Sequence, residues 1–327
     1  MKRRVLPLVL GLLLAVSACD NSHPRAADRP VRIEDLALAP VDLTQHCPKP
    51  QEDLPQTASG RLPTGAVLVR LCSGWQQPWA EPMDTPLIYP PVDALTSDPD
   101  QIVRLANSLP ELEPLNGYCG GAGAPAVDLW FGYPGGRAAA GHWQWADCQG
   151  FKFGGPGRGL SRSRTLLDAF VRALDQQRQR SGSRSNRPAP GCSPSMQPGS
   201  AYGYRTAPPW TSATYCVRDG RGPWRTAHIP PAVLRMINRQ ATAPSPDRDC
   251  PNRRLVVIRA RTVYGDLAHV VGSPCEFHTY LRTVDSRFTE VAWRPSRKLR
   301  HVLERLPLHL APHQAPPTPP EPTVTPQ

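Results

Sequence analysis

The chain has 327 residues, a formal net charge of +11 and 39% hydrophobic residues. That is enough apolar material for folded cores, and too dispersed for a bundle of membrane spans. Arginine outnumbers lysine 34 to 4 and proline reaches 41, as in GC-rich genomes, so part of the basic excess reflects mutation rather than function.

The first eighteen residues read as an export signal. Lys2, Arg3 and Arg4 make a positive start, and residues 5–16 are almost wholly apolar. Such a run of about twelve residues suits a signal core and is too short for a stable membrane helix. It ends in Val16-Ser17-Ala18-Cys19, which resembles the lipobox of bacterial lipoproteins. The resemblance covers only the start of the chain. It implies cleavage before Cys19 and lipid on the cysteine thiol, with acylation (commonly by palmitate) of the new amino group. It also implies a protein held at the extracytoplasmic face of the cell membrane. Each buried methylene of such an anchor contributes about 0.8 kcal/mol. No later stretch is long and apolar enough to span a bilayer. The expected partners are the membrane, through Cys19, and an anionic envelope polymer or an envelope protein. Nucleic acid is not expected in that compartment.

Residues 19–40 read as a lipidated polar tether. A first α+β module follows over residues 41–180. It begins with a strand at 66–71 and a short helix at 100–109, whose apolar stripe is Ile102, Leu105, Ala106 and Leu109. Strands at 127–133 and 142–147 make a hairpin around Pro134-Gly135-Gly136, and a helix covers 163–177. Residues 181–191 mix serine, arginine, glycine and proline without periodicity and read as a linker. A second module over 192–310 repeats the order: a strand at 213–217, a helix at 231–239, and a hairpin of 254–263 and 267–271 around Tyr264-Gly265-Asp266. Its last helix covers 296–306, capped by Ser296 and stopped by Pro307. Residues 311–327 are a proline-rich tail expected to be extended and unfolded. Short helices on one face of a small antiparallel sheet make each module α+β.

Eight cysteines follow Cys19, an even number in an oxidising compartment, and four disulfides are expected. They divide into two sets of four, with spacings of 25, 47 and 29 and then 24, 34 and 25. Other landmarks recur in the same order. Pro78-Trp79 and Pro223-Trp224 follow the second cysteine of each set, and Asn107 and Asn238 each lie twelve residues before the third. The helical sets Leu167, Phe170, Val171, Leu174 and Leu299, Val302, Leu303, Leu306 match as well. The pattern reads as a tandem duplication, with an extra dozen or so residues in the first copy around 93–100. Each hairpin has a cysteine before its first strand and another after its second, which pairs Cys119–Cys148 and Cys250–Cys275. Cys47–Cys72 and Cys192–Cys216 follow by elimination. Loops of this size are each stabilised by roughly 3 kcal/mol in the chain-entropy model.

The sequence carries no G-x-S-x-G, no H-E-x-x-H, no phosphate-binding glycine loop and no C-x-x-C pair. No catalytic residue, metal or cofactor is expected. His269 and His278 flank Cys275 and could meet across a strand, more simply as surface or half-buried histidines than as metal ligands. Glu111 with Glu113 and Asp98 with Asp100 read as turn and helix-start acids. Asp128 and Asp147, on the two strands of the first hairpin, are the candidates for a rival reading as an enzyme acting on cell-wall polymer, with a site between the modules. Trp143 and Trp145 share a strand face and read as core. Charge separates the modules: residues 41–180 carry 12 basic and 14 acidic side chains, and residues 192–310 carry 18 and 8. The favoured expectation is a non-catalytic binding protein of the envelope. Its second copy would contact an anionic surface through Arg253, Arg254, Arg259 and Arg261.

Overall fold

The computed structural model describes residues 31–50, 53–74, 87–111, 126–144, 150–154, 165–182, 184–192, 199–201, 209–220, 222–240, 254–282 and 288–311. These residues form a mixed helix and sheet structure with two antiparallel sheets and four α-helices.

The first sheet has the order β1-β5-β4-β2, built from β1 (Ala37–Leu38), β2 (Leu68–Ser73), β4 (Ala126–Tyr133) and β5 (Arg137–Gln144). The strands β4 and β5 form the expected hairpin, in register from Tyr133 opposite Arg137 to Ala126 opposite Gln144. The turn between them needs left-handed backbone at Gly135 and Gly136, with φ of 72° and 71°, conformations that carry no Cβ penalty in glycine. Helices α1 (Asp100–Ser108) and α2 (Thr165–Ser181) cover one face. There α1 buries Ile102, Val103 and Ala106, while the predicted stripe members Leu105 and Leu109 stay half-buried at its edge. The α2 stripe Leu167, Phe170, Val171 and Leu174 is buried as its spacing requires. Trp143 lies in this core at 1% exposure, stacked near Phe151, so its strand face is not an open platform; Trp145 is outside the described residues.

The second sheet has seven strands in the order β12-β11-β10-β9-β7-β8-β13. They are β7 (Trp210–Arg218), β8 (Arg225–His228), β9 (Leu255–Thr262), β10 (Leu267–Ser273), β11 (Glu276–Arg282), β12 (Phe288–Trp293) and β13 (His309–Leu310). The expectation of a small sheet is corrected here. Between the hairpin and the last helix the chain adds β11 and β12, whose Phe277 and Trp293 are buried and stack at 5.0 Å. Helices α3 (Pro231–Gln240) and α4 (Arg297–Glu304) close one face over Tyr215, Ile258 and Val270. The Ser296 cap is present, its Oγ accepting from the Leu299 N–H.

Both sheets share a local device. The Asn107 side chain accepts from the Leu62 N–H at 2.9 Å and donates to the Leu62 carbonyl at 2.7 Å. Asn238 does the same to Trp210, at 3.0 and 2.9 Å. An amide side chain can satisfy both backbone groups of one residue in this way.

The boundaries also change. The tether expected over 19–40 is folded at its end: Leu36 is 4% exposed, and Ala37 and Leu38 pair with Ala138 and Arg137 at the sheet edge. The sequence there, Leu36-Ala37-Leu38-Ala39, is apolar, and the open edge of β5 offers backbone groups that must be satisfied. The linker residues 184–192 run along the second sheet rather than free of it. Ser185 N–H donates to the Val263 carbonyl, and Ser212 Oγ to the Arg187 carbonyl. A short parallel pair, β3 (Leu87–Tyr89) with β6 (Gly199–Ala201), ties the segment before α1 to the segment after the linker.

Cys47–Cys72 and Cys192–Cys216 are disulfides, as the spacing required. Cys275 is also disulfide-bonded; Cys119, Cys148 and Cys250 lie outside the described residues.

Candidate functional site

Two buried charged groups meet where the halves join. Arg178 is on the last turn of α2 and in phase with the α2 apolar stripe, one turn beyond Leu174. Its side chain is 2% exposed and binds the fully buried Asp266 with two parallel hydrogen bonds, at 2.9 and 3.0 Å. Its Nε donates to Asp93 at 2.9 Å, and its guanidinium lies 4.6 Å from the Tyr264 ring centroid. Asp266 also accepts from the Val92 N–H at 2.9 Å. The β9–β10 turn is therefore bolted to α2 and to the segment before α1. Bidentate pairing of this kind is among the strongest protein hydrogen bonding.

A second junction cluster is Tyr89, His269 and Arg259. The Arg259 Nε donates to His269 Nε2 at 3.0 Å, and Tyr89 Oη lies 2.8 Å from His269 Nδ1. Guanidinium nitrogens only donate. So Nε2 must accept, the imidazole is neutral, and its proton sits on Nδ1 and points to the tyrosine oxygen. Burial pushes the Tyr89 hydroxyl up to about 12.

Beside these clusters lies an open cleft of about 880 Å³. One wall is Thr44 and His46, another is Asp93 and Ser97, and a third carries Arg180 and Arg187. Buried groups behind the surface hold its loops. Gln177 accepts from the Thr96 and Ser97 N–H groups at 2.7 and 2.8 Å and donates to the Ala94 carbonyl at 2.9 Å. Arg70, 2% exposed on β2, donates to the carbonyls of Leu43, Val92 and Thr44. Burial lowers the Arg70 guanidinium, with the charges of Asp93 and Asp42 working the other way. Residues 92–97, overlapping the stretch at 93–100 that the sequence marks as extra in the first half, form one side of this cleft, and the Val92 N–H ties it to Asp266 of the second half.

The structure distributes the predicted basic residues unevenly. Arg259 is inside the junction, bound to His269 and to the Gly191 carbonyl. Arg261 donates to the Gly265 carbonyl at 3.0 Å in the β9–β10 turn. Arg254 is exposed and pairs with Asp219 at 2.8 Å. Arg253 is outside the described residues. These residues do not form a single exposed patch, because burial of the strand face claims the alternate positions.

Asp147 is outside the described residues; its candidate partner Asp128 is buried on β4. Asp128 faces His142 across β4 and β5, Oδ1 to Nδ1 at 2.7 Å, with its side chain 2% exposed. Burial raises the Asp128 carboxyl, against the lowering effect of His142. With a folded pKa above the unfolded one, the native state holds the extra proton. Stability is then highest below the unfolded carboxylate range and falls as pH rises toward the folded value. Asp128→Asn is expected to flatten that part of a urea-midpoint-against-pH curve. An unchanged slope would show that Asp128 does not set it. His269 and His278 are not direct cross-strand partners, since Val271 stands opposite His278 and Arg259 opposite His269. Among the described residues no group of three or more His, Cys, Asp or Glu side chains is placed to hold a metal.

No family model, no curated protein and no solved structure matches this chain.

Proposed function

We propose that this protein is a membrane-anchored extracytoplasmic lipoprotein that binds a component of the cell envelope, or an envelope protein, in the cleft that its first half forms with the linker residue Arg187. The observation that carries the binding reading is the cleft itself. Its loops are held from behind by Arg70, Gln177 and Arg178, buried or half-buried groups committed to backbone or to one another, while the groups at its surface are polar and open. A pre-formed concavity with a few fixed polar groups is the usual form of a ligand site. The lipid anchor rests on the lipobox ending at Cys19, and two disulfides on the described chain support an oxidising compartment.

Duplication is part of the same reading. In both halves a cysteine-bearing strand, β2 or β7, flanks a central strand, β4 or β9, which forms a hairpin with β5 or β10. Both carry the asparagine clamp, and both disulfides close 24 to 25 residues onto the flanking strand. The copies have then diverged: the row Arg70, Trp130, Ala140 corresponds to Thr214, Arg259, His269 when the cysteines are aligned. The rival reading, an enzyme on wall polymer, needs an accessible carboxylate, and Asp128 is sealed against His142.

Two measurements test the reading. Cys19→Ala is expected to abolish incorporation of labelled palmitate and to release the protein from the membrane fraction. Retention after that change would remove the anchor. The full chain in detergent is expected to co-sediment with purified wall material or to retain an envelope protein. Failure to do either would remove the envelope-binding reading.

A further inference from the structure

Around the cleft arginines outnumber carboxylates: Arg70, Arg178, Arg180, Arg187 and Arg261 against Asp42, Asp93 and Asp266. Arg70 donates to the carbonyls of the cleft residues Thr44 and Val92, with Asp93 and Asp42 offsetting part of its charge. Arg187 stands at its wall, and its side chain lies beside Gly265, whose carbonyl accepts from Arg261. Burial, and to a smaller degree the charge of Arg187, lowers the guanidinium groups of Arg70 and Arg261. The Nε of Arg261 is buried and takes no hydrogen-bond partner among the described residues. Arg180 lines the same cleft from the end of α2. Asp93 and Asp266 are engaged by Arg178, and Asp42 by Thr44. Guanidinium groups in excess of carboxylates raise the local potential and favour a counter-anion. Their planar fork fits phosphate and carboxylate alike. A phosphate group carries about −1.5 to −2 near neutrality, against −1 for a carboxylate, and so offsets the cluster better.

Resting on the reading of this cleft as the binding site, we propose that it takes a phosphate group, contacted directly by Arg180 and Arg187 with Arg70 and Arg261 behind them. Ser97 stands in the same cleft as a further hydroxyl donor, while the Thr44 hydroxyl donates to Asp42. The backbone of Arg187 is held for this role, its carbonyl accepting from Ser212 Oγ and its N–H donating to Ser185 Oγ, both at 3.2 Å.

The test is isothermal titration of the full chain in detergent with inorganic pyrophosphate, with glycerol 1-phosphate and with citrate, at several salt concentrations. Pyrophosphate is expected to bind at one site, more weakly as salt rises, and at least about tenfold more weakly in the Arg180→Gln, Arg187→Gln double variant, since one charge-assisted hydrogen bond lost is worth roughly that factor. Both side chains are exposed, so circular dichroism and the thermal midpoint should not change. Arg187→Lys, which keeps the charge and loses the fork, should fall between. Glycerol 1-phosphate binding as well would indicate a phosphate carried by a lipid headgroup or polymer; pyrophosphate alone would indicate the free ion. Equal affinity in the double variant, no binding of either phosphate, or preference for citrate would overturn the proposal. A chain that binds pyrophosphate through Arg187 yet ignores envelope material would leave this inference standing and remove the envelope reading.

Discussion

Arg178→Met is expected to destabilise the protein by about 3–5 kcal/mol, read as a fall in the urea midpoint, because it takes the bidentate partner from Asp266, a carboxylate at 0% exposure. The carboxylate keeps the Val92 N–H bond. Asp266→Ala should cost less, since Arg178 keeps Asp93 and the face of Tyr264. The paired change Arg178→Met with Asp266→Leu should recover most of the loss, as apolar replacement of a buried ion pair often does. Adding Asp266→Leu alone closes the cycle with Arg178→Met and isolates the coupling. Additive effects would mean that α2 and the β9–β10 turn do not depend on each other through this pair.

Cys192→Ala with Cys216→Ala is the second large effect. The bond closes 24 residues, and its loss is expected to lower stability by roughly 3 kcal/mol in the chain-entropy model. Cys47→Ala with Cys72→Ala opens a loop of nearly the same size, 25 residues, so the entropic part should match. The surroundings differ. Cys216 is fully buried beside Val257 and Trp224, whereas Cys72 lies against Leu68 and Trp130. Equal losses in the two variants would favour chain entropy as the cause. A much larger loss at either site would assign the excess to packing. Denaturation in urea with and without reductant separates these outcomes.

Local periodicity made much of the fold legible. The stripe of α2, the Ser296 cap and both glycine-bearing hairpin turns depend on residues within a few positions of one another, and each sits where its spacing requires. The disulfide partners Cys47–Cys72 and Cys192–Cys216 were legible for a different reason: the halves resemble each other, which narrows the pairings. Strands β11 and β12 were missed although Phe277, Thr279, Tyr280, Phe288, Thr289, Val291 and Trp293 carry strand propensity; what chain order leaves open is their place, set by pairing with β10 and by Phe277 stacking on Trp293. The end of the supposed tether was missed in the same way, since Leu36 is buried by an edge that the sequence does not announce.

The junction divides these contributions most clearly. A signal for Arg178 was present, a charge placed in phase with a buried helical stripe, which calls for a partner. Nothing marked Asp266 as that partner, because an aspartate after glycine reads as an ordinary turn residue. His269 and Arg259 likewise read as solvated strand positions until Tyr89 and the linker cover them. By itself the sequence determined the helices, the hairpins, the resolved disulfides and the lipobox resemblance at Cys19. Only the tertiary structure decided which arginines are buried, which meet across the junction and which remain open to a ligand, because charge compensation depends on distances between segments that chain order leaves free.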